Sequence, residues 1–143
     1  MESKILTIEE VLREKGVYVG VTTTDSMQPL LLGGRDTIVV RPKTEPLKPL
    51  DVALYRRGDK YILHRVISVL DDGYLIRGDN CYYEEIVDEK DVIGILTEFY
   101  HKDKRFFCTD KKYLRYAKKR VKRYKFRYFW HRVKNKLISH KNN

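Results

Sequence analysis

Seven short segments rich in β-branched and aromatic residues lie between residues 17 and 108, and turn residues separate most of them. Gly33-Gly34, Gly58-Asp59 and Asp72-Gly73 each fall between two segments, where glycine and aspartate favour tight turns. This spacing predicts a mainly β fold with a mixed or antiparallel sheet, and it argues against βαβ units. The predicted strands are residues 17–21, 36–41, 51–57, 60–70, 74–77, 92–100 and 105–108.

A short helix is predicted before the first strand. Thr7 and Glu10 have the spacing of a capping box, in which each side chain hydrogen-bonds the backbone of the other residue. Gly16 is a helix-stop residue at the far end. The residues between them supply one apolar face, formed by Ile8, Val11 and Leu12.

The charge of the chain is divided unevenly. From Lys111 onward there are 14 lysines and arginines and no acidic residue, whereas the first 110 residues hold 16 basic and 20 acidic residues. We therefore predict a β domain over residues 1–109 and a basic tail over residues 110–143. A tail of this charge favours an anionic partner, either membrane lipid or nucleic acid.

The basic tail has the apolar spacing of a helix. Apolar residues recur at intervals of three and four, first at Leu114, Ala117, Val121, Tyr124 and Tyr128 and then at Phe126, Trp130, Val133 and Leu137. Asp110 is a candidate N-cap. The pattern predicts a long basic helix with an aromatic face.

Two arrangements of this helix remain open. It could lie in a membrane interface, or it could pack its aromatic face on the domain and leave a basic face in solvent. The candidate membrane- or anion-binding residues are Lys118, Lys119, Arg120, Lys122, Arg123 and Trp130.

Several classes of protein are disfavoured by what the sequence lacks. No run approaches the roughly 18 apolar residues of a membrane-spanning helix, and residues 1–15 alternate charged and apolar residues unlike a signal peptide. Cys81 and Cys108 make no disulfide framework, and nothing marks a metal site. We expect a protein of a reducing compartment, in the cytoplasm or peripherally at the cytoplasmic face of a membrane.

Three motifs suggest serine chemistry. They are Ser26-Met27-Gln28-Pro29, His64-Arg65-Val66-Ile67 and Gly78-Asp79-Asn80. A serine nucleophile needs a neighbouring base, and His64 is the one histidine that falls inside a predicted apolar strand. Taken alone, such a histidine is more typical of a structural residue.

In this order and spacing, the motifs resemble those of signal peptidase I and its relatives. The resemblance covers roughly residues 17–96 and implies a serine endopeptidase on a mostly β fold, with Ser26 as the nucleophile and no cofactor. A histidine at the position of His64 is typical of the endoplasmic-reticulum and archaeal type, whereas other members have lysine there. Histidine can act as a base near neutral pH without assistance.

The resemblance leaves the third catalytic residue open. Asp79 is the first candidate to orient His64, because its motif matches without substitution, and Glu85 is the second, with Glu84 beside it. Relatives of the histidine type have two aspartates where this chain has the two glutamates. The oxyanion would be bound by the backbone N–H of Ser26 and the hydroxyl of Thr24.

The expected function is cleavage of leader or signal segments of peptides or proteins, at or near a membrane surface. We expect no N-terminal membrane anchor of the kind the family has, and the basic tail is therefore the candidate for membrane attachment. Two alternatives remain. One is a nucleic-acid-associated regulatory protein that uses the tail, and the other is a catalytically inactive relative that binds peptides.

Overall fold

One antiparallel sheet of eight strands dominates the structure, a computed structural model that describes residues 5–141. The strand order is β1-β2-β7-β3-β4-β5-β6, with β8 paired to β7. The predicted mainly β class is confirmed. The strands are β1 (Tyr18–Val21), β2 (Thr37–Arg41), β3 (Val52–Arg57), β4 (Lys60–Val69), β5 (Gly73–Arg77), β6 (Glu85–Asp88), β7 (Val92–His101) and β8 (Lys104–Phe107).

Strand β6 was not predicted, although it closes one edge of the sheet against β5. Only Val87 of its four residues is buried, and Ile86 beside it is largely exposed. A short edge strand with a single buried side chain has too little apolar pattern to be recognised from sequence. Residues 1–4, part of the segment in which no signal peptide is expected, lie outside the described residues, as do residues 142–143.

Helix α1 (Ile8–Lys15) has the predicted ends. The Thr7 hydroxyl accepts a hydrogen bond from the Glu10 N–H, and the Glu10 carboxylate accepts one from the Thr7 N–H, both at 3.2 Å. Gly16 ends the helix at a φ of 71°, a left-handed conformation that glycine adopts without strain. Leu12 is the buried residue of the helix and anchors it in the core.

The sheet has a core on each face. Val52 and Leu54 of β3 pack into one core, whereas Ala53 and Tyr55 pack into the other, because alternate side chains of a strand point to opposite faces. The first core also holds Met27, which lies directly after Ser26. Strand β3 is therefore buried on both faces, and its side chains reach both sides of the sheet.

The predicted C-terminal helix is present and is divided at Arg123 into α2 (Lys111–Lys122) and α3 (Tyr124–Lys141). Tyr113 and Ala117 form the buried face of α2, whereas Leu114 is exposed. Asp110 precedes the helix, but its side chain accepts a hydrogen bond from Phe107 N–H instead of capping the helix. No helix among residues 5–141 combines the length and apolarity needed to cross a membrane.

A buried ion pair joins α2 to the sheet. Arg65 of β4 donates from Nε and Nη2 to the two carboxylate oxygens of Asp79, at 2.7 and 2.8 Å. From α2, Tyr116 donates its hydroxyl to Asp79 at 2.9 Å, and Tyr113 accepts from Arg65 Nη1 at 3.1 Å. Arg120 donates to the Asp79 carbonyl at 3.0 Å. The first helix of the tail is therefore docked on the domain.

We expect the Arg65→Met substitution to lower the free energy of unfolding by about 3–5 kcal/mol, because Asp79 would stay buried without its cation. Urea denaturation measures this. Arg56→Met is the matched control, since Arg56 forms a half-exposed pair with Glu9 whose loss costs less than about 1 kcal/mol. Equal losses in both variants would contradict the central place given to the Arg65–Asp79 pair.

Candidate active site

Ser26 stands at the start of a turn after an irregular segment. Strand β1 ends at Val21, and the turn closes through hydrogen bonds from Gln28 N–H to the Asp25 carbonyl and from Leu31 N–H to the Met27 carbonyl. Ser26 is half-buried, whereas Met27 points into the core beneath it. The turn thus leaves the serine at a protein surface while its neighbour fixes the backbone.

The segment before Ser26 is held against the loop that leads into β2. Gly34 N–H donates to the Thr22 carbonyl at 2.6 Å, and Gly33 N–H donates to Asp25 Oδ1 at 3.1 Å. A Cβ at Gly33 would lie 2.7 Å from the Thr24 carbonyl oxygen, so only glycine allows this close approach. The Gly33-Gly34 pair therefore positions the irregular segment that leads into the Ser26 turn.

The Gly78-Asp79-Asn80 loop lies directly against the Ser26 turn. Asn80 donates from its backbone N–H to the Ser26 carbonyl at 2.9 Å and from its side chain to the Asp25 carbonyl at 3.1 Å. A Cβ at Gly78 would lie 2.7 Å from the Ser26 carbonyl oxygen and 2.9 Å from His64 Nε2. The structure thus brings all three sequence motifs together around Gly78.

Ser26 and His64 open into the same cleft, which has a volume of about 690 Å³. Thr24, Tyr83 and Arg57 also line it. Thr22, Thr23 and Lys60 add further polar groups to its walls. A concave site that combines apolar walls with convergent polar groups is a usual form of a ligand site. The apolar lining residues are Ile8, Val21, Met27, Ile38, Leu54, Ile62 and Leu63.

The His64 ring is almost fully buried. Burial lowers the pKa of His64, while the charge of Glu85 acts in the opposite direction and that of Arg57 in the same direction. The net result is a pKa below the ordinary value, so the imidazole is neutral at pH 7. A neutral imidazole can accept a proton, which is the property a general base needs.

His64 has Tyr55 as its hydrogen-bonding neighbour. The Tyr55 hydroxyl lies 3.3 Å from His64 Nδ1 and donates to Glu85 Oε1. Arg57 donates to the other carboxylate oxygen of Glu85 at 2.7 Å. Glu85, one of the two carboxylates considered for orienting His64, is thus connected to that ring through a tyrosine.

Sequence reasoning missed Tyr55, but the β3–β4 hairpin contained a signal for it. The turn at Gly58-Asp59 sets a register in which Tyr55 pairs with Ile62 and Ala53 pairs with His64. Tyr55 is therefore the diagonal neighbour of His64 on the same face, within reach of an aromatic side chain. Register counted from the turn would have placed the two together.

The other two carboxylate candidates, Asp79 and Glu84, bind arginines and, among the described residues, have no connection to His64 through Tyr55. Asp79 is nine-tenths or more buried and binds Arg65 and Tyr116, and Glu84 accepts from Arg77 Nη1 at 2.6 Å. Within residues 5–141, the structure shows no hydrogen bond from His64 to either carboxylate. Asp79 acts on His64 only as a nearby charge that raises its pKa slightly against the effect of burial.

The two predicted oxyanion donors belong to Ser26 and its near neighbour Thr24. The Thr24 hydroxyl is 3.1 Å from Ser26 Oγ. The hydrogen bonds found within residues 5–141 leave the Ser26 N–H unused. The Thr24 hydroxyl and the Ser26 N–H therefore stay the candidate donors for an oxyanion.

The basic candidates of the tail divide into two groups. Arg120 is engaged with the Asp79 carbonyl, whereas the remaining basic candidates and Trp130 are exposed to solvent. The start of α3 also contacts the domain, because Tyr82 stacks on His131 at 3.8 Å and Arg77 lies over the ring of Tyr124 at 3.3 Å. The exposed candidates are Lys118, Lys119, Lys122 and Arg123.

Comparisons with known proteins give no family assignment. No family model matches the chain, and no curated protein matches it. The chemistry of the site is therefore inferred from the arrangement of Ser26, His64 and their neighbours.

We expect His64 to titrate at a lower pH in the folded protein than in the same protein unfolded in urea. NMR of the imidazole signals measures both midpoints. As the pH falls, His64 binds a proton in the unfolded chain before it does so in the folded protein, which favours unfolding. The contribution of His64 to stability is therefore present above about pH 6.5 and is lost as the pH falls below that value. A folded midpoint above the unfolded one would contradict the burial assigned to the ring.

Proposed function

We propose that the protein is a serine endopeptidase in which Ser26 is the nucleophile and His64 is the general base. The observation that carries the proposal is that Ser26 and His64 line one cleft, and that the Gly78–Asn80 loop packs against both of them. The lowered pKa of His64, caused by burial, supports the role of base. The resemblance of the three motifs to those of signal peptidases supports the same reaction.

The reaction would proceed by acyl transfer. Ser26 Oγ attacks the scissile carbonyl carbon while His64 Nε2 takes the hydroxyl proton. The oxyanion that forms is stabilised by hydrogen bonds from Ser26 N–H and the Thr24 hydroxyl. His64 then gives its proton to the leaving amine, and a water molecule, activated by His64 in the same way, releases the acyl group from Ser26.

The shape of the cleft favours an extended peptide as substrate. Strand β1 contributes Tyr18 and Val21 to the cleft, and among residues 5–141 it pairs with β2 alone. An extended chain could add to the free edge of β1 and pass Ser26. Leader or signal segments of peptides or proteins are the substrate class that the family resemblance suggests.

The exposed face of α3 supports action at an anionic membrane surface. Phe126, Phe129, Trp130 and Leu137 are each more than half exposed and recur at helical intervals. Lysines and arginines surround them, and no acidic residue follows Asp110. A helix with aromatic residues on one face and basic residues beside them is typical of the lipid interface.

The first test is cleavage of a diverse peptide pool, read by mass spectrometry. We expect Ser26→Ala and His64→Ala each to lower kcat/KM by at least about 10³-fold, because each removes a group that acts in the transition state. Ser68→Ala is the matched control, since Ser68 is a half-buried serine of β4 outside the cleft. Cuts that persist in Ser26→Ala would contradict the peptidase assignment, as would an inactive wild-type protein.

The second test is sedimentation with phosphatidylserine vesicles. We expect the double variant Phe129→Glu/Trp130→Glu to bind at least about tenfold more weakly than wild type, because two interfacial aromatic side chains are lost. Ile86→Glu, at an even more exposed apolar position on β6, is a control for added charge. Salt-sensitive binding to duplex DNA without vesicle binding would contradict membrane docking and favour the nucleic-acid alternative.

A further inference from the structure

We propose that Tyr55 is the positioning residue of the catalytic histidine, and that Glu85 acts on His64 through the Tyr55 hydroxyl instead of by direct contact. The inference rests on the proposed peptidase function and gives it an orienting group. It assigns to Tyr55 a role that no sequence motif indicated.

The direction of each hydrogen bond follows from the available donors and acceptors. An ionised carboxylate only accepts, and Arg57 already donates to Glu85 Oε2, so the Tyr55 O–H donates to Oε1. The Tyr55 oxygen can then only accept from the imidazole, which requires the proton of neutral His64 to be on Nδ1. His64 Nε2 is left unprotonated, on the side of the ring that faces Gly78 and the Ser26 turn.

The ionisation states support this direction. Burial and the hydrogen bond to Glu85 both raise the pKa of Tyr55, so the phenol keeps its proton. Burial works against the charge of Glu85, but hydrogen bonds from Tyr55 and Arg57 outweigh it and hold the pKa of Glu85 below its usual range. The neutral Tyr55 hydroxyl has one proton, and it donates that proton to the ionised Glu85 carboxylate and not to His64.

Within residues 5–141, neither Asp79 nor Glu85 hydrogen-bonds His64 directly, whereas Tyr55 contacts both His64 and Glu85. Asp79 is held by Arg65 and Tyr116, and Glu85 belongs to the edge strand β6, which β5 separates from the strand that carries His64. The phenol bridges the gap between His64 and Glu85. When His64 becomes positively charged during attack, the negative charge of Glu85 stabilises it, opposed by the nearby charge of Arg57 and assisted by that of Asp79.

The direct test is the tautomer of His64, measured by long-range ¹H–¹⁵N NMR without substrate. We expect wild type to carry the proton on Nδ1. In Tyr55→Phe the acceptor is gone, so the population should shift toward the Nε2-protonated form. Tyr74→Phe is the matched control, because Tyr74 is an equally buried tyrosine whose hydroxyl accepts from Leu47 N–H and not from His64.

A second pair of variants keeps the test decisive if Tyr55→Phe fails to fold. In Glu85→Ala the Tyr55 hydroxyl loses its acceptor and turns to donate to His64 Nδ1, which again shifts the proton to Nε2. Glu84→Ala is the control, since Glu84 pairs with Arg77 and not with the relay. An unchanged tautomer in Tyr55→Phe or in Glu85→Ala would overturn the role of Tyr55.

The rate of peptide cleavage tests whether Tyr55 and Glu85 contribute to catalysis. With a cleavable peptide, we expect Tyr55→Phe to lower kcat at least about tenfold while KM changes less than about twofold, because substrate binding is untouched. Glu85→Ala should also move the acid limb of the kcat profile to lower pH, since a negative charge near His64 is lost. An unshifted limb together with unchanged kcat would overturn the relay.

The two proposals fail separately. The tautomer is measured without any cleavage, so a relay that is confirmed by NMR in a protein that cleaves nothing would overturn the peptidase function alone. Cleavage that requires Ser26 and His64 but is indifferent to Tyr55→Phe would overturn the relay alone.

Discussion

The buried pair between Arg65 and Asp79 is the interaction on which the site depends. Arg65 directly follows His64 on β4, and Asp79 is the middle residue of the loop that hydrogen-bonds the Ser26 turn. Pairing them fixes the distance between the strand that carries the histidine and the loop that supports the serine. Since both side chains are removed from water, breaking the pair leaves an uncompensated buried charge, and the pair therefore resists local opening.

The same pair explains how the tail and the site are connected. Tyr116 and Arg120 of α2 bind the carboxylate and the carbonyl of Asp79, so the first helix of the tail supports the loop behind Ser26. Tyr82, which stacks on His131 of α3, directly precedes Tyr83 at the cleft. Under the proposed function, a membrane bound by α3 would therefore be linked to the catalytic groups through α2 and Asp79 and through Tyr82 and Tyr83.

Much of the sheet could be predicted from the sequence, because its strands are short β-branched segments separated by glycine and aspartate turns. The capping box of α1 was equally clear, since both of its hydrogen bonds are local. What could not be predicted depends on long-range pairing. Strand β6 has one buried residue, the break at Arg123 has no proline or glycine to mark it, and the commitment of Asp79 to Arg65 required the fold. The contact of Tyr55 with His64 needed only the hairpin register.

If the protein is a serine peptidase, Ser26 forms a covalent acyl intermediate with the peptide. The most direct test of this claim is acid quenching of the protein during cleavage of a peptide identified from the pool, followed by mass spectrometry of the digested protein. An acyl group of the mass of the N-terminal fragment, located on the segment that contains Ser26 and absent from Ser26→Ala, is the expected result. Cleavage that proceeds with an acyl group on another residue, or in Ser26→Ala at the wild-type rate, would contradict the claim.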